Sequence, residues 1–406
     1  MPDSPEPTLA IQFLERKNRV PTDTWDELKW GEHAHAFTVA HSVEADVLNT
    51  LHGLMKDAIK NGEAYGSWRN KALELMKASG WYGGNGHTAE DKKYINWRLR
   101  IIYDTNMRTA YSAAQYRKQL QDAEGRPIWV YKSKLAGKNR RQEHIALHDK
   151  AFRYDDPFWN TYYPPNGWGC QCSVTTKSVS GAKRDGIETL TSGPSGEPPE
   201  IKDSEGTPID WSTFGDPTWK YNVGREALAP NFNKYSNLPK ETVTEAQARY
   251  HRDMNQTRLA EGEFKVLVRR TQEVDYKPSN ILYQVGNIEA KRCGAMNKHG
   301  VRDSKIMASD HDLWHGTGDK VAKQTIPERL FDELYTLLQE PQAIYEERVA
   351  NKPYRVFHFI KDTQDGKKIK VVVYYLKLKG GSMALKITTM GYAPYQYHDA
   401  KYSKIW

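Results

Sequence analysis

The sequence predicts an α+β protein: a mainly helical N-terminal domain with a loop-rich Trp/Cys/His segment, then a small C-terminal domain of helix and antiparallel sheet. Three observations carry this. Before residue 122, long stretches space their apolar residues three and four apart. After residue 353, three runs rich in β-branched and aromatic residues are separated by glycine-containing turns. Between them, Ser, Gly, Pro, Asp and Thr dominate and apolar periodicity disappears.

In chain order, Ala36 to Asn61 carries Phe37, Val39, Val43, Val47, Leu48, Leu51, Leu54 and Met55 at helical spacing. Trp68 to Ser79 continues in that style and stops at a glycine-rich stretch. A third helix is predicted from Ala89 to about Gln121, ended by Gly125-Arg126-Pro127. Pro127 to Lys132 reads as a short strand, followed by a loop-rich stretch to Thr176. Residues 178–299 read as a Gly/Pro/Ser-rich arm and linker with some helix, partly ordered because Trp211, Phe214, Trp219 and Tyr221 must be placed. Ile326 to Glu340 is an amphipathic helix with Pro327 in its first turn and Pro341 past its end. Strands follow at Tyr354–Lys361, Ile369–Lys379 and Met383–Met390, joined by Asp365-Gly366-Lys367 and Gly380-Gly381-Ser382. The domains are therefore expected at 1–177, 178–299 and 300–406.

Composition removes several classes. The chain has 406 residues, 38% hydrophobic, and no run near the ~18 apolar residues of a membrane span. Its first residues show no basic-then-apolar secretory signal. Cys170, Cys172 and Cys293 cannot build a disulfide framework, which fits a reducing compartment. Aromatics at 11% exclude a disordered chain. Of the formal charge of +8, all resides after Asn351, where eleven Lys/Arg meet three Asp/Glu. Such a segment suits an anionic partner such as nucleic acid, or simply a solvated face.

The densest chemistry is Arg140-Arg141-Gln142-Glu143-His144-Ile145-Ala146-Leu147-His148, then Asp155-Asp156-Pro157-Phe158-Trp159, then Pro164-Pro165-Asn166-Gly167-Trp168-Gly169-Cys170-Gln171-Cys172. His144 and His148, four apart, would share a helical face. With Cys170 and Cys172 they form a zinc-compatible set of two imidazoles and two thiolates. The alternative is a structural loop without cofactor, its imidazoles bonded to backbone and its cysteines packed under Trp159 and Trp168. A Cys–His nucleophile lacks an evident third, orienting group.

This run resembles the domain of Mu-type phage F-like minor head proteins, the head-morphogenesis proteins, over roughly residues 8–177. Thr105, Asn106, Arg108 and Tyr111 sit where that family has a helix before the motif; Trp25, Trp30, His33, Phe37 and Ala40 match further upstream. Gln171 stands where the family usually has Arg, and Asp149 where it often has Gly. The resemblance implies a virion component, made in the host cytoplasm, that acts in head assembly with portal, capsid and scaffold proteins and touches no membrane.

Residues 300 to 398 resemble a second phage module, the nuclease-like domain of the barnase, EndoU, colicin and RelE group, on Ile306–Asp310, Leu313-Trp314-His315, Leu337–Pro341 and the strands through Thr388-Thr389. That resemblance implies a metal-independent ribonuclease, a toxin-like effector. Cleavage through the 2′-hydroxyl needs a base, an acid and cations at the phosphate. His315, His358, Lys361, Lys370 and Thr388 are the candidates, with His311 a third imidazole. Lys377, Lys379, Lys386 and Tyr395 are expected to hold RNA or packaged DNA. Two alternatives remain: an inactive nucleic-acid-binding or structural appendage, and an ADP-ribosyltransferase. For the latter, Glu346-Glu347 is the nearest acidic pair, read as lying beside a helix, and no glycine-rich dinucleotide loop is present.

Overall fold

The computed structural model describes residues 7–40, 45–79, 88–135, 141–203, 206–273, 275–317, 326, 330–363, 366–378, 381–393 and 401–406. They form two units, residues 1–230 with 235–246, and residues 231–234 with 247–406. The stretch expected as an arm, 178–299, therefore divides between the units. It buries Phe214, Trp219, Phe232, Phe264 and Tyr283, and it forms helices Lys240–Gln256 and Glu261–Thr271. The sequence already required a place for Phe214 and Trp219; Phe232, Phe264 and Tyr283 are further anchors that tertiary packing uses.

The first unit is built around the helix Ala89–Gln121. Thr88 starts it: its hydroxyl accepts from the Asp91 amide at 3.1 Å while the Asp91 carboxylate accepts from the Thr88 amide, a reciprocal cap contributing about 1 kcal/mol. Ile95, Leu99, Ile102, Ala110 and Ala114 line one face and pack with helices Pro7–Glu15, Ala45–Asn61 and Tyr65–Ala78. The predicted helix from Ala36 starts at Ala45 instead. Ala36–Phe37 (β2) pairs in parallel with Asn18–Arg19 (β1), a pairing partner local periodicity cannot reveal.

The same unit holds a four-stranded sheet. Its strands are β3 (Ile128–Lys132), β4 (Ala151–Arg153), β5 (Ser173–Lys177) and β6 (Thr189–Leu190), ordered β5-β3-β4-β6. Trp129 on β3 lies opposite Phe152 and Thr176. Trp129, Trp159, Phe158 and Tyr163 form a fully buried aromatic cluster; Phe152 and Phe158 stack at 4.0 Å.

The second unit is a seven-stranded sheet of β7 (Leu282–Asn287), β8 (Lys305–Ser309), β9 (Ala343–Glu347), β10 (Arg355–Asp362), β11 (Lys368–Lys377), β12 (Met383–Tyr392) and β13 (Tyr402–Lys404). The order is β13-β9-β10-β11-β12-β8-β7, antiparallel except for the β12–β8 pair. The predicted meander is present as β10–β12. Gly366 and Gly381 supply its turns at φ of 75° and 86°, backbone that favours glycine. The amphipathic helix occurs as Phe331–Gln339.

Because side chains alternate, Phe357, Phe359, Val371, Val373, Leu385 and Ile387 are buried on one face. The helix Asp310–Thr317 packs there, with Gly316 against Met390, the strand partner of Val371. Among the described residues, no helix is long and apolar enough to cross a membrane.

Candidate functional site

The Cys-bearing loop is held by polar side chains of the long helix. Arg108 donates to the carbonyls of Gly169 (2.8 Å) and Cys170; Ser112 donates to Pro164 (2.5 Å); Gln119 donates to Val174 (2.8 Å). These positions lie on one face of the helix. The carbonyls of Pro164, Gly169 and Cys170 belong to irregular backbone that needs such partners, and Val174 O to the edge strand β5. Arg141 adds a bond to the Trp168 carbonyl at 3.1 Å, and the Asn166 amide donates to Thr161 at 2.9 Å.

The loop brings Cys170 and Cys172 to His144, which the short helix Gln142–Ala146 presents from the other side. His144 Nδ1 lies 3.4 Å from Cys172 Sγ and 3.7 Å from Cys170 Sγ. The Tyr131 hydroxyl stands 3.5 Å from the same nitrogen, and Ser133 Oγ is 3.8 Å from Cys172 Sγ. His144 is 3% exposed, its ring stacked on Phe214 at 4.8 Å, and among the described residues its buried Nε2 has no hydrogen-bond partner. The Cys170 thiol bonds to Cys172 and, with His144, pulls the Cys172 thiol down to about 4; that same bond, with burial, pushes Cys170 well up.

His148 does not join this group. The helix ends at Ala146, so the four-residue spacing no longer places both rings on one face. His148 Nδ1 instead accepts from the Ser133 amide at 3.1 Å, and Nε2 faces Asp149 at 3.4 Å. The Asp-Asp-Pro-Phe-Trp segment is architectural. Asp156 accepts from the Phe158 amide (2.9 Å) and the Ser192 hydroxyl (2.5 Å), and the Trp159 indole donates to Arg153. Arg140 lies outside the described residues.

In the second unit the predicted residues separate. His358, 4% exposed, sits mid-strand on β10 with Nε2 2.9 Å from Glu347. Glu347 is also paired with Lys401 at 2.9 Å, and Tyr402 packs edge-on against His358 at 5.0 Å. By register and alternation Lys370 shares this face. Burial holds the His358 and Lys370 pKa values down, whereas Lys401 and His358 bring Glu347 down against its burial.

His315, in contrast, is exposed on the helix covering the opposite face, against His311 and Trp314. Lys361 alternates away from His358, and Lys377 is exposed on the Tyr375 side. Lys386 pairs with Asp312 at 3.2 Å, and the Thr388 hydroxyl donates to Val372 O at 3.3 Å beside a β-bulge. Lys379 and Tyr395 lie outside the described residues. Sequence reading missed Glu347 as a partner because it placed Glu346-Glu347 beside a helix. The structure puts both on strand β9. The period-two spacing of Tyr345 and Glu347 was the available signal.

Residues 49–175 match the family described as phage Mu protein F like protein, a stretch that includes His144, Cys170 and Cys172. A protein of Escherichia phage Mu named for capsid assembly, protein F, is 26% identical over 383 residues, covering 89% of this chain and 84% of that protein. The Mu-like prophage FluMu F protein of Haemophilus influenzae is 38% identical over 175 residues, 42% of each chain. No solved structure matches. The chain therefore contains a phage Mu F-like region within its N-terminal unit and is related along most of its length to protein F of phage Mu.

Proposed function

We propose that this protein acts in assembly of a phage head, as a minor component placed near the portal or the prohead interior and in contact with capsid and scaffold proteins. The observation that supports this most is the breadth of its similarity to a capsid assembly protein, which extends through both units. The test is a prophage in which the gene is silenced and supplied in trans. Heads counted by electron microscopy should fall at least tenfold without the protein and recover with it. Normal heads in normal numbers without it would end this reading.

A second role belongs to the C-terminal unit, as a metal-independent ribonuclease centred on His358 rather than His315. A buried imidazole bonded to a carboxylate, with Lys370 on the same sheet face and Lys401 paired to that carboxylate, has an acid–base pair and cations for a phosphate. In the full chain, His358→Ala and Glu347→Gln should each lower RNA cleavage by about 10²–10⁴, while His315→Ala leaves it unchanged. Equal cleavage in all four proteins would remove the site. No cleavage by the unaltered chain would leave a binding or structural appendage.

A further inference from the structure

We propose that His144 Nδ1, Cys170 Sγ and Cys172 Sγ bind a zinc ion, with the fourth position taken by water or another oxygen donor beside the Tyr131 hydroxyl. The argument is geometric first. A tetrahedral zinc with Zn–S of about 2.3 Å and Zn–N of about 2.0–2.1 Å has N···S edges of roughly 3.6 Å. The two N···S separations here are 3.4 and 3.7 Å, and all three donor atoms lie within 4.8 Å of one another.

The two rival uses of these residues fit less well. A Cys–His nucleophile needs one sulfur on its base and a third group to orient the ring; here both sulfurs stand at Nδ1, and among the described residues the buried Nε2 has no hydrogen-bond partner to orient it. A structural pair of thiols explains burial but not why both sulfurs converge on one imidazole nitrogen. A divalent cation balances two thiolates and needs the ring neutral. It would also tie the loop of Cys170 to the helix of His144, segments that the sequence separates by 26 residues.

The experiment uses the full chain purified without chelator. Elemental analysis should find about one zinc per chain, and cobalt exchanged for it should give a thiolate-to-metal absorption band with tetrahedral visible bands. His144→Ala, Cys170→Ser and Cys172→Ser should each lower metal content at least fivefold, while His148→Ala retains it. Because a ligand variant can lose metal by unfolding, His144→Cys serves as the second variant. It supplies another zinc donor and should keep the metal with a red-shifted cobalt spectrum. A folded wild-type chain that binds neither zinc nor cobalt at micromolar concentration would overturn the proposal. So would loss of metal in His148→Ala equal to that in His144→Ala, or a Cys170–Cys172 disulfide in the protein as isolated from reducing cytoplasm.

Discussion

Acidification from pH 7 to about 4 is expected to destabilise the N-terminal unit by roughly 2–3 kcal/mol for each of two buried histidines. His35 is 4% exposed, its Nε2 3.2 Å from the Glu226 carbonyl, and burial pushes its pKa down to about 3. His52 is 6% exposed, 2.7 Å from the Leu14 carbonyl, and burial takes it to about 4. Both values lie below the ordinary 6.5, so the unfolded chain takes up protons that the folded chain refuses. Stability is therefore fully present above pH 6.5 and falls progressively toward pH 4 and below. Urea midpoints at pH 7 and pH 4.5 check this. The double variant His35→Gln, His52→Gln should lose much less between the two pH values than the parent. An equal loss would mean that other groups, carboxylates or His33, set the acid limit.

The second large effect is expected at Asp310. This carboxylate is fully buried and accepts from the Tyr276 hydroxyl (2.8 Å) and the amides of Ser279 (2.7 Å), Ile281 (2.9 Å) and His311 (3.0 Å). It ties the segment before β7 to the start of the helix over the sheet. Burial raises its pKa, and those four donors oppose the rise. Asp310→Ala would leave buried donors unpaired and open a cavity, at a cost of about 3–5 kcal/mol. Asp310→Asn keeps one acceptor oxygen and should cost less. Thermal melts rank the three proteins, and hydrogen exchange at Ser279 and Ile281 should quicken most in the Ala variant. A melt of Asp310→Ala within a degree of the parent would show the network is dispensable.

What could be read from the sequence was what local physics determines. The helix Ala89–Gln121 was legible because its apolar spacing and its Gly125-Arg126-Pro127 stop agree. The β10–β12 meander was legible because alternation and turn glycines coincide. Strands β9 and β13 were not. Ala343–Glu347 and Tyr402–Lys404 are short and polar, and they become strands only by pairing with each other and with β10. The same holds within the candidate sites. Three of the four proposed metal ligands meet because the motif's residues converge, whereas His148 leaves because its helix stops after one turn. Asp310 gains its role from residues about thirty positions away, and Glu347 from His358 on the neighbouring strand and Lys401 much further along, relations no local pattern carries.

The parallel β8–β12 pair bears on how the chain is made. Ile306 and Leu385 lie side by side in the sheet but about 80 residues apart in the chain. At a synthesis rate of about 5–20 residues per second, β8 waits several seconds after leaving the ribosome before β12 exists to cover its edge. The antiparallel pairing with β7 can form first, so the nascent chain passes through a state with one satisfied and one open side on β8. That interval is when an edge-seeking chaperone, or another nascent copy, competes with the native partner.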